Sequence, residues 1–194
     1  GIGNLVLIDL DDICISNTNR QLHAMSSTVG RLKIEEMRDR LLDINPECNV
    51  TNILDFITVE NVEELVDGLL PNLDVCLDAI DGHNEKAALI ATCASRGVPI
   101  ITCGGAAGRK DPSQIVCGDL TKAQEDRLLF KTRKNLRRIY GFQKGPSQGK
   151  KNNHKPKPWD IPAVFSTEIQ RTPPQPAIGE SSLRRCDGAL GTAC

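Results

Sequence analysis

Four short aliphatic runs, at residues 5–9, 50–57, 74–80 and 98–102, alternate with three stretches whose apolar side chains recur at helical spacing. The first helical stretch carries Val29, Leu32, Ile34, Met37, Leu41 and Leu42 and stops before Pro46. The second has Val62, Leu65, Val66 and Leu69 on one face, and the third covers about residues 84–95. Strand and helix in strict alternation predict an α/β chain with a doubly wound, Rossmann-like, mostly parallel sheet. Only 3% of the residues are aromatic. Aliphatic side chains therefore do the packing, as expected of parallel strands buried on both faces.

Beyond residue 104 the pattern loosens. A strand is expected at 114–116, a charged helix at 121–139, a low-complexity loop at 144–158 (KGPSQGKKNNHKPKP) and a further strand at AVFSTE. The expected organisation is a nucleotide-binding core over 1–120 and an extension over 121–194 that ends in a Cys- and Gly-rich tail. With no initial Met, the chain is expected to be a piece of a longer protein. Cys76 in DVCLDAI and Cys93 in LIATCAS, like most of the eight cysteines, lie in apolar runs and are expected to be reduced core thiols. No C-x-x-C pair occurs, so zinc held by four cysteines is not expected. Neither a secretory signal nor an apolar run of membrane-spanning length is seen, and the chain is not expected to be secreted.

The formal net charge of −1 conceals an asymmetry. Residues 131–157 hold ten Lys or Arg and no acid, which leaves 14 of the 24 basic residues to the rest of the chain against all 25 acidic ones. Such a layout suits either a solvated loop or a surface that meets a polyanion. Tyr140, Phe142 and Trp159 are the aromatic residues expected to lie near enough to stack on bases.

The opening GIG precedes its strand, whereas a dinucleotide-binding glycine loop follows one; a helix C-cap feeding the strand is the better reading. DLDDICISNTNRQ carries more information. Asp9, at the end of a parallel strand, stands where an acid can accept hydrogen bonds from ribose hydroxyls. Asn17 and Arg20 supply an amide and a guanidinium fork suited to phosphate oxygens, and Lys33 adds a point charge at the start of a helix. On spacing alone a solvated polar loop explains these residues equally well.

The run D-x-D-x-x-x-x-x-N-x-x-R-Q, here Asp9, Asp11, Asn17, Arg20 and Gln21, resembles the adenylation motif of the ubiquitin-activating-type superfamily that includes ThiF, MoeB and HesA. VGRLK with Lys33, and LDAID with Asp78 and Asp81, continue the likeness over about residues 1–110. The resemblance implies that Asp9 and Asp11 belong to an ATP site and that Ser16, Asn17 and Arg20 line the path from adenine to phosphate. It further implies that Lys33 neutralises the triphosphate and that Asp81 holds Mg²⁺. Asp78 is read from its position as a strand-end cap or salt bridge.

Within the superfamily, SNTNRQLHA, INPEC, FITVENV, GGAAGRKDPSQIVCGDL, VFSTE and RRCDGALGTAC are similar to the branch that dehydrates a modified adenosine of tRNA. This implies that a carboxylate on the tRNA is adenylated and then closed into a ring. The alternative is adenylation of the C-terminus of a ubiquitin-like or sulfur-carrier protein. Cys186 matches a cysteine of that branch and is either a catalytic thiol or a small residue in a glycine-rich turn. The resemblance also implies tRNA as partner, with Arg133, Lys134, Arg137, Arg138, Lys150 and Lys151 on its phosphates. A homodimer, a sulfur-relay or ubiquitin-like partner, and a cytoplasmic or mitochondrial location with any membrane tether outside this chain are implied in the same way. The family's glycine-rich loop is expected to lie outside the sequence, and the chain is expected to be inactive alone.

Overall fold

The computed structural model describes residues 2–143 and 158–169. Contacts divide the chain into two compact units between Ile57 and Thr58. The GIG segment read as a helix cap begins at Gly1, which lies outside the described residues.

In the first unit β1 (Asn4–Ile8) and β2 (Asn49–Ile53) pair in parallel, in register from Asn4 opposite Asn49 to Ile8 opposite Ile53. Helix α1 (Lys33–Ile44) makes the crossover that a parallel pair requires. It starts later than the periodicity suggests. Asp12 forms an antiparallel bridge with Leu32, Ile13 N–H donates to Arg31 O at 2.8 Å and Gly30 N–H to Ile13 O at 2.9 Å. Leu32 is thus used in a return of the chain and becomes the N-cap, while Val29 N–H closes a turn on Met25 O at 3.2 Å. Glu35 and Glu36 in the first turn complement the positive end of the helix. The helix ends at Asn45, held extended before Pro46.

The second unit contains α2 (Val62–Leu69), β3 (Cys76–Asp78), α3 (His83–Arg96), β4 (Ile100–Cys103), β5 (Ile115–Asp119), α4 (Arg127–Arg138) and β6 (Pro162–Ser166). Its sheet runs β3-β4-β6-β5, with β3, β4 and β6 parallel and β5 antiparallel to β6. Strand β6 is inserted between β4 and β5, so residues 162–166 belong to the same sheet as β3 and β4. Gly97 closes α3 in the left-handed conformation, φ 71°, which costs a glycine nothing.

The expected single sheet is two hydrogen-bonded sheets among the described residues. Burial on both faces is also only half met. Cys76, Asp78, Ile100 and Thr102, on the face that α3 covers, are buried or half-buried, whereas Leu77 on the opposite face is 73% exposed. Parallel strands are dry on both sides only where helices cover both sides. Here α2, α3 and α4 form one packed layer, in which Ala87, Ile90, Cys93, Leu129 and Leu136 are all fully buried.

All six described cysteines are free thiols. Cys48 and Cys93 are buried and Cys76 half-buried, as expected of core thiols, while Cys14, Cys103 and Cys117 are exposed. A hydrogen bond to the Cys93 thiol, reinforced by burial, pushes the Cys76 thiol well above the ordinary range and keeps it protonated.

Candidate nucleotide site

At the carboxyl end of β1 the chain turns at once, and Asp9 accepts the Asp11 N–H at 2.8 Å. The return through residues 30–33 then brings Lys33 back to that turn. Its N–H donates to Asp11 O at 3.0 Å and its Nζ lies 2.5 Å from Asp11 Oδ2. Three residues spread over 25 positions thus meet at one strand end, with Lys33 only 17% exposed in its side chain and Asp11 51%. His23 joins them. Burial, and then the charge of Lys33, hold its pKa below the ordinary value, against the opposing pull of Asp9 and Glu36. Its Nε2 is buried with no hydrogen-bond partner among the described residues.

The loop between these anchors has its own internal order. Asn17 is buried, and its side-chain oxygen accepts Cys14 N–H at 3.0 Å to shape the short helical turn Ile15–Asn17. Arg20 is exposed and donates from Nη1 to Ser16 O at 2.7 Å and Asn19 Oδ1 at 2.9 Å. Ser16 is exposed. Of the expected nucleotide ligands in this unit, Asp9, Asp11 and Lys33 are brought together, and Asn17 serves the turn.

In the second unit Asp81 is exposed on the turn between β3 and α3, and it makes no ion pair among the described residues. What fixes that turn is Asp78, 1% exposed, as its position at a strand end suggests. Its Oδ1 accepts Ile80 N–H at 3.0 Å; its Oδ2 accepts Thr102 Oγ1 at 2.6 Å and Lys86 Nζ at 2.8 Å. Lys86 and Thr102 are themselves fully buried. Reading the sequence missed Lys86, whose only signal is a single cation opening the apolar run AALIATCA eight residues after a strand-end acid.

A second buried knot was also missed. Asp126 is fully buried and caps α4 by accepting Leu129 N–H at 2.8 Å, while its other oxygen accepts Gly105 N–H at 2.9 Å and Arg109 Nη2 at 3.2 Å. Arg109 also donates to Gly105 O at 2.8 Å and to the carbonyls of Ser166 and Glu168, and so ties the β4 loop to the end of β6. A Cβ on Gly104 would fall on Asp126 Oδ2 and 2.9 Å from its Cγ, which explains the glycine.

The basic segment departs from expectation at one residue. Arg133 is 8% exposed, and its guanidinium donates to Thr121 O at 3.0 Å, so it is part of the packing and not a surface cation. Lys134 and Arg138 are exposed and Arg137 half-buried. Phe142 and Trp159 pack edge to face with ring centroids 5.1 Å apart, and Trp159 Nε1 donates to Gln143 O at 3.0 Å. Lys150, Lys151 and Cys186 lie outside the described residues.

Strand–helix–strand crossovers with an acid and a lysine gathered at one strand end define a Rossmann-like nucleotide-binding domain. The ThiF family model matches residues 1–140, and the chain belongs to that family. It is 44% identical over its whole length to the tRNA threonylcarbamoyladenosine dehydratase of Haemophilus influenzae, 70% of which is covered. It is also 44% identical over 87% of its length to the Escherichia coli protein of the same name, spanning 58% of that relative. The crystal structure of the Escherichia coli dehydratase in complex with ATP superposes with a TM-score of 0.77 at 41% identity, over 88% of this chain and 65% of that one. Molybdopterin-synthase adenylyltransferase of Escherichia coli is more distant, 34% identical over 57% of this chain.

Proposed function

We propose that this chain is the adenylating core of an enzyme that activates the carboxylate of N6-threonylcarbamoyladenosine, at position 37 of tRNA, with ATP and closes it with net loss of water. The observation that carries the reading is the gathering of Asp9, Asp11 and Lys33 at the end of β1, in a chain 44% identical to two proteins named for this reaction.

Asp9 is placed to accept ribose hydroxyls, and Lys33 exchanges Asp11 for a phosphate oxygen of the nucleotide, a charge-assisted bond in either state. Exposed Ser16 and Arg20 line the same loop, with Asn17 holding its shape. Among the described residues no cluster of three or more metal-binding side chains occurs. Magnesium needs none, since it takes one or two carboxylates together with substrate phosphates, and exposed Asp81 fits that demand. When bound, the cation neutralises charge that builds on the reacting phosphate.

The chemistry follows from the poor leaving ability of a carboxylate oxygen. That oxygen attacks the α-phosphate and pyrophosphate departs. The carbonyl of the mixed anhydride is then attacked by a nucleophilic group of the same modification, and the original oxygen leaves on AMP. Intramolecular closure gains its rate from proximity and requires no enzyme nucleophile.

Pyrophosphate exchange tests the reading. Exchange is expected to depend on tRNA carrying the modification, and Asp9→Ala and Lys33→Ala each lower kcat/KM for ATP by roughly 10- to 150-fold, the worth of a charge-assisted hydrogen bond. Exchange driven by a ubiquitin-like carrier instead of tRNA would move the assignment to the second reading, which the likeness to molybdopterin-synthase adenylyltransferase favours.

A further inference from the structure

Helix α4 turns Leu129, Thr132, Arg133 and Leu136 inward. The opposite face presents Arg127, Lys131, Lys134 and Arg138, all exposed. Steps of four, three and four residues put these cations in one stripe, about 16 Å long at 1.5 Å per residue. None of them forms an ion pair among the described residues.

A cationic stripe by itself is an ordinary solvated helix face. This one borders an open groove of about 460 Å³ whose wall includes Phe130 and Ile169, which are 52% and 72% exposed. The Phe130 ring is steadied from within. The guanidinium of Arg133 lies 5.9 Å from its centroid and is itself anchored on Thr121 O. Glu125 is the single acid on the groove wall, while Asp126 points inward to cap the helix.

Cations spaced by about 4.5–6 Å along a helix form a positively charged track of the kind that follows the backbone of an unpaired strand. An exposed, pre-oriented ring beside them offers a base a stacking platform. We infer that this face of α4 binds an unpaired stretch of RNA, with phosphates along Arg127, Lys131, Lys134 and Arg138 and one base on Phe130. The inference rests on the tRNA reading above and replaces buried Arg133 as a phosphate contact by Arg127 and Lys131.

The experiment measures the Kd of the protein for the modified tRNA across a salt series. Replacing the four cations by Gln is expected to flatten the log–log salt slope by about 3, at ~0.7–0.9 per phosphate contact. Phe130→Ala is expected to raise Kd roughly 5- to 150-fold and leave the slope unchanged, and Phe130→Tyr to retain affinity. A quadruple variant with wild-type affinity and slope overturns the inference while the tRNA reading stands. So does a variant that keeps tRNA binding but loses retention on phosphatidylserine vesicles, which would assign the stripe to a membrane. A wild-type protein with no tRNA affinity brings down the tRNA reading and this surface together.

Discussion

Lys86→Met breaks the ion pair that fastens β3, α3 and β4 at one point. Lys86 is fully buried and Asp78 1% exposed, so no water replaces the lost ammonium. The carboxylate would keep Ile80 N–H at 3.0 Å and Thr102 Oγ1 at 2.6 Å, but lose the charge 2.8 Å away. Leaving one partner of a buried pair alone costs about 3–5 kcal/mol. At ~2–4 °C per kcal/mol for a domain of 150–250 residues, Tm should fall by roughly 6–20 °C. The double variant Lys86→Met, Asp78→Leu removes both charges and should recover at least about 2 kcal/mol of the loss, since apolar replacement of a whole buried pair is often neutral. Urea unfolding of the wild type, both single variants and the double variant closes the cycle. A Lys86→Met protein within about 1 kcal/mol of wild type would refute the reasoning, and so would a double variant whose loss equals the sum of the singles.

Gly104→Ala is expected to destabilise by about 1–3 kcal/mol, because the new methyl group meets an Asp126 carboxylate pinned by three donors; differential scanning calorimetry reads the shift. His23 supplies a pH dependence. Burial, then Lys33, lower its folded pKa below 6.5, so acidification protonates the unfolded chain before the folded one and stability falls as pH drops from about 6.5 through the folded value. His23→Gln should flatten that fall in denaturation midpoints measured between pH 7 and 5, and an unchanged profile would show that other groups cause it.

The order of strands and helices was legible in the sequence because it rests on local pattern: short aliphatic runs, a 3.6-residue apolar spacing, and Pro or Gly at the ends. Asp9, Asp11 and Lys33 were legible for another reason, a spacing that resembles a family's adenylation motif. Asp78 was legible as a strand-end cap because its role depends on its place at a chain reversal. No local pattern shows that residues 30–32 pair with residues 12 and 13 and do not extend α1, since a return of the chain competes with helix only once both segments are present. The burial of Arg133 was equally invisible. A lysine or arginine run reads as surface until one of its members finds a carbonyl such as Thr121 O across the fold. Lys86, Arg109 and Asp126 belong to the same class: a charge can be buried only where partners from distant segments satisfy it, and those partners are chosen by the packing. Sequence by itself determined the alternation of elements, the acid and lysine of the candidate nucleotide site and the charge asymmetry. Only the tertiary structure decided which charges go inside, where β6 enters the sheet, and which face of α4 remains to meet a partner, because each of these depends on contacts between residues far apart in the chain.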